Sequence, residues 1–251
     1  MVAKTDTKSE KNETNQETEN FENNDINNKS EDKRKIVIPG ETIVSGEDYL
    51  PGDWTRKEGK DIVAEKYGLA EISGRLVRII SLAGSYIPRY GNTVIGRITD
   101  ITFNGWVVDI NSPYLAFLPV SEVPRFINKE NLADFFDIGD SIACKVLNVK
   151  RKSIDLSIVG KGLGKLEGGM IMRINSNKVP RVIGKEGSMI KLIKQDTNCE
   201  IIVGQNGLIW IKSENIENEL KAKEAILFVV SKSYIEGLTE KVKEFLEEGK
   251  I

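Results

Sequence analysis

The fold of the C-terminal third of the chain is decided by the stretch Val182-Ile183-Gly184-Lys185-Glu186-Gly187-Ser188-Met189-Ile190. Two glycines three positions apart interrupt an otherwise helical pattern. Pro180 suits the first turn of a short helix before them, and Ser188 is predicted to cap a second helix after them. Because glycine has no Cβ, such a pair also lets another molecule approach the backbone closely. The stretch therefore predicts two short helices joined by a tight Gly-X-X-Gly loop.

The residues around this loop predict a mixed α/β domain over 164–251. Apolar residues of the second helix share one face, as a core-facing helix requires: Met189, Ile190 and Ile193. Three strands are predicted at 170–174, 200–203 and 208–211, with a turn at Asn206-Gly207 between the last two. A long helix is predicted from about Ile216, with one face formed by Ile216, Leu220, Leu227, Val230 and Tyr234. The predicted order is β-α-α-β-β-α.

This order, with a Gly-X-X-Gly loop between the first two helices, resembles the KH domain. In that family the loop clamps the backbone of about four nucleotides, and the following helix offers free N–H groups to phosphate. The resemblance implies RNA contacts from Arg181, Gly184, Lys185, Glu186, Gly187 and Lys191. Glu186 departs from this picture because it places a negative charge in the loop. A glycine pair that serves only as a tight turn between helices is the alternative interpretation.

The preceding segment, 89–163, reads as all-β. Strands are predicted at 93–102, 106–110 and 142–149, and residues 153–158 alternate with a period of two. Asn104-Gly105 lies between the first two strands and predicts a type I′ hairpin turn, in which both central residues have positive φ. Five or so short strands that close on themselves predict a small OB-type barrel.

Four motif pieces in this segment resemble the OB module repeated in ribosomal protein S-one. They are 91–98, 103–108, 116–123 and 138–157. Such barrels bind single-stranded RNA by stacking bases on aromatic side chains while a basic groove follows the backbone. The resemblance implies stacking residues Phe103, Trp106 and Phe117, and charge from Lys145, Lys150, Arg151 and Lys152.

Two features of the barrel segment depart from that module. Pro119 stands where many members carry a histidine, and the usual late Asp and Arg pair is not recognisable. Trp106 also has a second interpretation, as a partly buried barrel residue that never meets RNA. Aromatic side chains beside hairpin turns often pack on the barrel itself.

The N-terminal part divides into a polar tail and a small domain. Residues 1–35 are rich in Asn, Glu, Lys, Thr and Ser, so they predict a disordered charged tail. Residues 36–88 contain short apolar runs between turn signals, which predicts a small β-rich domain. Glycines between 160 and 169 predict a flexible junction before the C-terminal domain.

Composition excludes several chemistries. Histidine is absent, and the two cysteines lie far apart, which predicts buried thiols in a reducing, cytoplasmic compartment. No metal-ligand cluster, nucleotide-binding loop, signal peptide or membrane span is recognisable, so we expect no catalysis, metal, cofactor or membrane partner. Residues 145–194 carry twelve Lys or Arg against three acidic residues, a local net charge of +9 within a chain of −2. This asymmetry favours nucleic acid, although a solvated basic surface is the alternative.

The order of a small β domain, an OB barrel and a KH domain resembles the KH-containing cap subunit family of the archaeal RNA exosome. Residues 37–41 and 49–53 fit the start of that family's N-terminal domain. The resemblance implies an RNA-binding subunit without catalysis. It also implies three copies, with sister cap subunits, docked through 36–88 on a hexameric ring of phosphorolytic exoribonuclease subunits.

Two other functions compete with this one. Polynucleotide phosphorylase combines the same two modules in reverse order behind large catalytic domains, for which this chain has no room. A free RNA-binding factor in translation or ribosome maturation is the second alternative. Such a factor has no need of a docking domain, so residues 36–88 discriminate between the two.

Overall fold

A computed structural model describes residues 35–123, 132–150, 153–233 and 237–248. Apart from Lys35, the predicted tail lies outside these residues. The described chain forms three successive parts: a small β-rich domain, a closed barrel and an α/β domain. No helix within the described ranges is long and apolar enough to cross a membrane.

The N-terminal domain consists of two small sheets. One has the order β1-β6-β7-β3 and the other the order β2-β5-β4. One face of the first sheet is buried, where Val37, Ala70 and Ile79 form a small core with Ala64. Burial alternates along most of β7, as expected for a strand with one buried face. The strands are β1 (Lys35–Val37), β2 (Thr42–Ser45), β3 (Leu50–Pro51), β4 (Thr55–Glu58), β5 (Asp61–Ala64), β6 (Gly68–Ser73) and β7 (Leu76–Ser81).

The second part is a closed five-stranded barrel, which confirms the predicted OB-type fold. Its strands are β8 (Thr93–Thr102), β9 (Gly105–Asp109), β10 (Leu115–Pro119), β11 (Ser141–Val149) and β12 (Ser153–Ser157). All ladders are antiparallel except β10–β12, and the β11–β12 pairing closes the barrel. A short helix, α1 (Leu132–Phe135), and the edge strand β13 (Gly164–Lys165) complete this part.

The first barrel hairpin forms as predicted, but its turn does not. Thr102 pairs with Gly105, so the two loop residues are Phe103 and Asn104, and the prediction of a type I′ turn at Asn104-Gly105 is wrong. Gly105 belongs to strand β9. A Cβ on Gly105 would lie 2.1 Å from the carbonyl oxygen of Leu118, so the glycine permits close approach of β10.

The third part has the β-α-α-β-β-α order and confirms the predicted KH fold. Its elements are β14 (Met170–Arg173), α2 (Val179–Ile183), α3 (Ser188–Thr197), β15 (Glu200–Val203), β16 (Leu208–Lys212) and α4 (Ile216–Ser231). The sheet has the order β14-β16-β15. The buried helix residues Val182, Ile193 and Ile226 share one core with the strand residues Ile201 and Ile209. A further helix, α5 (Leu238–Glu248), packs on this core through Val242 and Leu246.

Two details of the KH helices differ from the sequence prediction. Ser188 is the first residue of α3 rather than its cap, and Gly187 occupies the cap position without a side-chain hydrogen bond. The buried residues of α4 are Glu219, Ala222, Ala225, Ile226 and Val229. Of the predicted face, Ile216, Leu220 and Leu227 are exposed, whereas Val230 is partly buried against the core. Tyr234 lies outside the described residues. The side of α4 that packs on the core is therefore not the predicted one.

A turn of the KH domain fixes that domain to the barrel. Asn206, in the β15–β16 turn, is 1% exposed. Its side-chain NH₂ donates to the carbonyl oxygens of Ile95 (2.7 Å) and Ile110 (2.9 Å), and its Oδ1 accepts from the Ile95 N–H (3.3 Å). Gln205 bonds both backbone groups of Thr93. The two RNA-type modules therefore have a defined relative orientation.

Candidate nucleic-acid interface

The Gly-X-X-Gly loop (184–187) projects between α2 and α3 with an unusual backbone. Three of its residues have positive φ: Gly184 (+74°), Glu186 (+54°) and Gly187 (+78°). A Cβ on Gly184 would lie 2.7 Å from the backbone nitrogen of Met189, whereas one on Gly187 would meet only the side chains of Lys191 and Ile190 at 3.7 Å or more. Gly184 is thus required for packing inside the protein, while Gly187 leaves open space where an RNA backbone would approach.

Three predicted cations surround this loop. Arg181, Lys185 and Lys191 are exposed and, within the described part of the chain, form no salt bridge. The carboxylate of Glu186 is also exposed, so the loop carries one negative charge among them. A groove of about 640 Å³, called here the loop groove, lies beside the loop. It is lined by Pro180, Arg181, Gly184, Lys185, Ser188 and Met189, and on its other side by the start of α5 (237–240).

The predicted aromatic residues of the barrel occupy three different environments. Phe103 is 84% exposed at the tip of the β8–β9 hairpin, so its ring is available for stacking. Phe117 is half-buried on the outer surface of β10, opposite Val107 on β9 and Asp155 on β12. The two rings therefore give the barrel an aromatic tip and an aromatic patch.

Trp106 is a core residue, and the prediction that it stacks on RNA is wrong. It is 0% exposed, and its ring packs edge-on against Phe136, with centroids 5.3 Å apart. Its indole N–H donates to the Phe136 carbonyl oxygen at 3.0 Å, which satisfies the one polar atom of the ring. Successive side chains of β9 point to opposite faces, so Trp106 and Val108 turn inward and Val107 outward.

The barrel cations that were predicted to contact RNA differ in exposure and in ion pairing. Lys145 is exposed on β11, but Lys150 forms an ion pair with Asp155 at 2.7 Å. Because Asp155 lies opposite Phe117, the negative charge beside the aromatic patch is compensated by Lys150 rather than left to repel phosphate. Arg151 and Lys152 lie outside the described residues. Pro119 ends β10 opposite Gly105 and is half-buried.

The described residues offer little for catalysis. Both cysteines are buried, and burial raises the pKa of the Cys144 thiol to about 12, so this thiol is no nucleophile at neutral pH. Burial also raises the pKa of Tyr86, whose hydroxyl donates to Asn92. Among the described residues, no group of three or more His, Cys, Asp or Glu could hold a metal.

Sequence reasoning missed the seam between barrel and KH domain and a second groove beside the N-terminal domain. Asn206 was predicted only as a turn residue, because its partners are backbone groups more than ninety positions away. Lys66 and Arg89 carry no motif, yet they line a groove where all three domains meet. No sequence signal marks either feature, since both arise from the contact of distant segments.

Family models match two parts of the chain. The model described as "RRP4, S1 domain" matches residues 85–148, which contain most of the barrel. The model described as "KH domain" matches residues 169–217, which run from β14 to the first turn of α4 and contain the Gly-X-X-Gly loop. The fold and these two matches define an RNA-binding protein that joins an S1-type barrel to a KH domain.

Curated relatives and a solved structure extend this class to the whole described chain. Exosome complex component Rrp4 of Methanothermus fervidus is 44% identical over 215 residues, which cover 85% of this chain and 96% of the relative. Rrp4 of Nitrosopumilus maritimus is 40% identical over 220 residues, covering 86% and 97%. A crystal structure provisionally named as an exosome complex RNA-binding protein is 37% identical, with a TM-score of 0.59, and covers 66% of this chain and 97% of its own. The chain belongs to the Rrp4 family of exosome complex components.

Proposed function

We propose that this chain is the RNA-binding cap subunit of an archaeal exosome. In this role it guides single-stranded RNA into a phosphorolytic exoribonuclease ring for 3′-to-5′ degradation and processing. The observation that carries the proposal is the Gly-X-X-Gly loop, whose positive-φ backbone and unpaired cations face solvent within a chain of the Rrp4 family. The barrel adds an exposed aromatic ring, Phe103, for base stacking.

The N-terminal domain carries a surface suited to docking on a partner. On the outer face of the first sheet, Ile36, Leu69 and Ile80 form one apolar row, and Leu76 pairs with Leu50 in another. Ile36 and Leu50 are each 56% exposed. Clustered exposed apolar residues of this kind mark protein interaction sites. A free RNA-binding factor would have no use for this apolar face, so it favours the assembled form.

The finer arrangement in this proposal follows the family resemblance. The ring is a hexamer of phosphorolytic subunits, the cap comprises three copies with sister cap subunits, and the complex acts in the cytoplasm. The outer face of the first sheet is the docking surface, and the loop and Phe103 hold RNA. RNA binding and assembly are therefore separable by substitution.

Gly187→Asp tests the RNA-binding half of the proposal. The loop has room for the side chain, and like charges about 4 Å apart repel by about 1 kcal/mol in water. Affinity for single-stranded RNA, measured by fluorescence anisotropy, should fall at least about fivefold. The matched control is Gly59→Asp in the β4–β5 turn, which has positive φ (+62°) and nothing within 4 Å. Equal RNA affinities for the two variants would refute the loop as an RNA site.

Ile36→Lys combined with Leu50→Lys tests the docking half. Size-exclusion chromatography with purified ring subunits should show lost assembly, while RNA affinity of the free chain is unchanged. Gly187→Asp should give the reverse pattern. If the loop variant loses the ring and keeps RNA, the loop is a protein contact and the division of roles is wrong.

A further inference from the structure

A second groove lies where the N-terminal domain, the start of the barrel segment and the KH domain meet. It has a volume of about 430 Å³ and is named here the junction groove. Its basic residues are Lys66, Arg78 and Arg89, and its one acidic residue is Asp53. The KH domain contributes Ser176, Asn177, Pro180 and Gln205. Apolar and aromatic residues contribute as well: Trp54, Ile79, Ile80, Tyr86 and Ile87. The lining therefore has a net positive charge and is mixed in polarity.

The three cations of the junction groove differ in how far neighbouring groups neutralise their charges. Arg78 is committed to Glu71, to which its Nε donates at 2.6 Å. Arg89 approaches Asp53 only loosely, at 3.5 Å, and both side chains are more than 60% exposed. Lys66 is half-buried, with its ammonium 3.4 Å above the centre of the Trp54 ring, a contact that holds the charge in place without neutralising it. Lys66 and Arg89 are thus the charges available to a ligand.

The residue whose ring lies beneath the Lys66 ammonium, Trp54, has a strained backbone. Trp54 has a φ of 61°, which is rare for a bulky residue. Two backbone hydrogen bonds hold the turn: the Ile79 N–H donates to the Asp53 carbonyl, and the Glu65 N–H donates to the Trp54 carbonyl, each at 2.9 Å. Strain that the surrounding structure maintains is concentrated at ligand sites. Here it places an indole ring under the lysine.

The junction groove and the loop groove share one lining residue. Pro180, in the first turn of α2, lines both. Gly184 follows four residues later, about 6 Å along the helix at 1.5 Å per residue. A nucleotide chain spans that distance in about one step. A strand clamped at the Gly-X-X-Gly loop therefore reaches the edge of the junction groove at Pro180.

We propose that the junction groove binds the RNA backbone next to the nucleotides held by the Gly-X-X-Gly loop. Lys66 and Arg89 contact phosphates, and Ser176 and Asn177 donate hydrogen bonds to the same strand. This inference rests on the proposed function, because it extends the RNA site of the KH domain. It assigns to the N-terminal domain a contact with RNA in addition to docking. The net positive charge of this concave lining favours a phosphate chain.

The test uses a charge-reversal variant of the full chain, Lys66→Glu with Arg89→Glu. Its matched control is Arg56→Glu with Lys60→Glu, which makes the same charge change at exposed positions of the N-terminal domain, outside both grooves. Binding is measured with single-stranded RNAs of about four and about twelve nucleotides. The short RNA reports on the loop alone, since the KH loop holds about four nucleotides.

The groove variant should bind the long RNA at least about tenfold more weakly than the control at 0.1 M salt. The salt slope, d log K/d log[salt], should become less negative by about 1.4, because two phosphate contacts each contribute about 0.7 on single strands. Affinity for the short RNA should equal that of the control. Unchanged thermal unfolding of both variants would show that folding is intact.

Three results would overturn the inference. Equal long-RNA affinities for groove variant and control would show that the groove does not touch RNA. Loss of ring assembly with unchanged RNA affinity would make the groove a protein contact instead. If the groove variant bound the short and the long RNA more weakly by the same factor, the loss would come from the changed charge of the whole protein and not from a contact in the groove. Failure of the proposed function looks different: the unmodified chain would bind neither RNA, and Gly187→Asp would change nothing.

Discussion

The barrel and the KH domain differ in what determines their candidate RNA sites. In the KH domain the site is a backbone conformation, with glycines at positive φ and cations that are exposed around it. In the barrel the site depends on which way individual side chains point. Trp106 turns into the core, Phe103 stands at an exposed tip, and Lys150 is paired with Asp155.

This difference explains why one site is readable from sequence and the other is not. A Gly-X-X-Gly loop needs residues without Cβ at fixed spacing, and that requirement is visible in the residue types themselves. An aromatic residue beside a hairpin serves equally well as core or as stacking face. Its role depends on strand register, since a shift of one residue exchanges the two faces.

The largest expected effect concerns Trp106. Trp106→Ala should lower the free energy of unfolding by about 3–5 kcal/mol, because it leaves a large cavity and an unpaired carbonyl at Phe136. Urea unfolding followed by circular dichroism measures this change. Phe103→Ala, the exposed neighbour, should alter stability by less than about 0.5 kcal/mol. If Trp106→Ala is stable and binds RNA poorly, Trp106 belongs to the RNA site after all.

The next effect concerns the hydrogen bonds of Asn206 that join the KH domain to the barrel. Asn206→Ala removes three hydrogen bonds and leaves buried groups of Ile95 and Ile110 unpaired, which should cost about 2–4 kcal/mol. Calorimetry should then resolve separate unfolding of barrel and KH domain. Gln195→Ala, which removes an exposed amide on α3, is the control. A single unchanged transition would mean that other contacts couple the two domains.

A smaller effect separates stacking from charge. Phe103→Ala should weaken binding of single-stranded RNA by about 1–3 kcal/mol if one base stacks on the ring. The salt slope should not change, because no phosphate contact is lost. Lys185→Ala should instead make the slope less negative by about 0.7. Anisotropy titrations at several salt concentrations measure both quantities. Identical slopes for the two variants would remove the distinction between barrel and KH binding.

The smallest effect is a pH dependence of the barrel. The hydrogen bond from Lys165, 2.6 Å away, lowers the pKa of Asp140. A depressed carboxyl pKa stabilises the folded state above the ordinary aspartate pKa, and this contribution is lost as pH falls through the depressed value. Asp140→Asn should therefore reduce stability slightly at neutral pH and flatten its decline below about pH 4. Parallel acid unfolding curves for the two proteins would contradict this.

Several features of the fold could be predicted because their signals are local. The periods of two in 153–158 and the glycine pair at 184–187 predicted elements that the structure confirms. Features that join distant segments could not be predicted. The α4 face is an example: its large apolar residues mark one side, yet packing on the core buries Ala222 and Ala225 on another.

The sequence by itself determined the two RNA-type modules, their order and the loop that a nucleotide chain can approach. These depend on residue type and spacing, which the backbone translates directly into turns, strands and helices. Only the tertiary structure decided that Trp106 is core, that Asn206 joins barrel to KH domain, and that Lys66 and Arg89 share a groove. Those outcomes depend on which distant segments come into contact, because burial and hydrogen bonding act through space rather than along the chain.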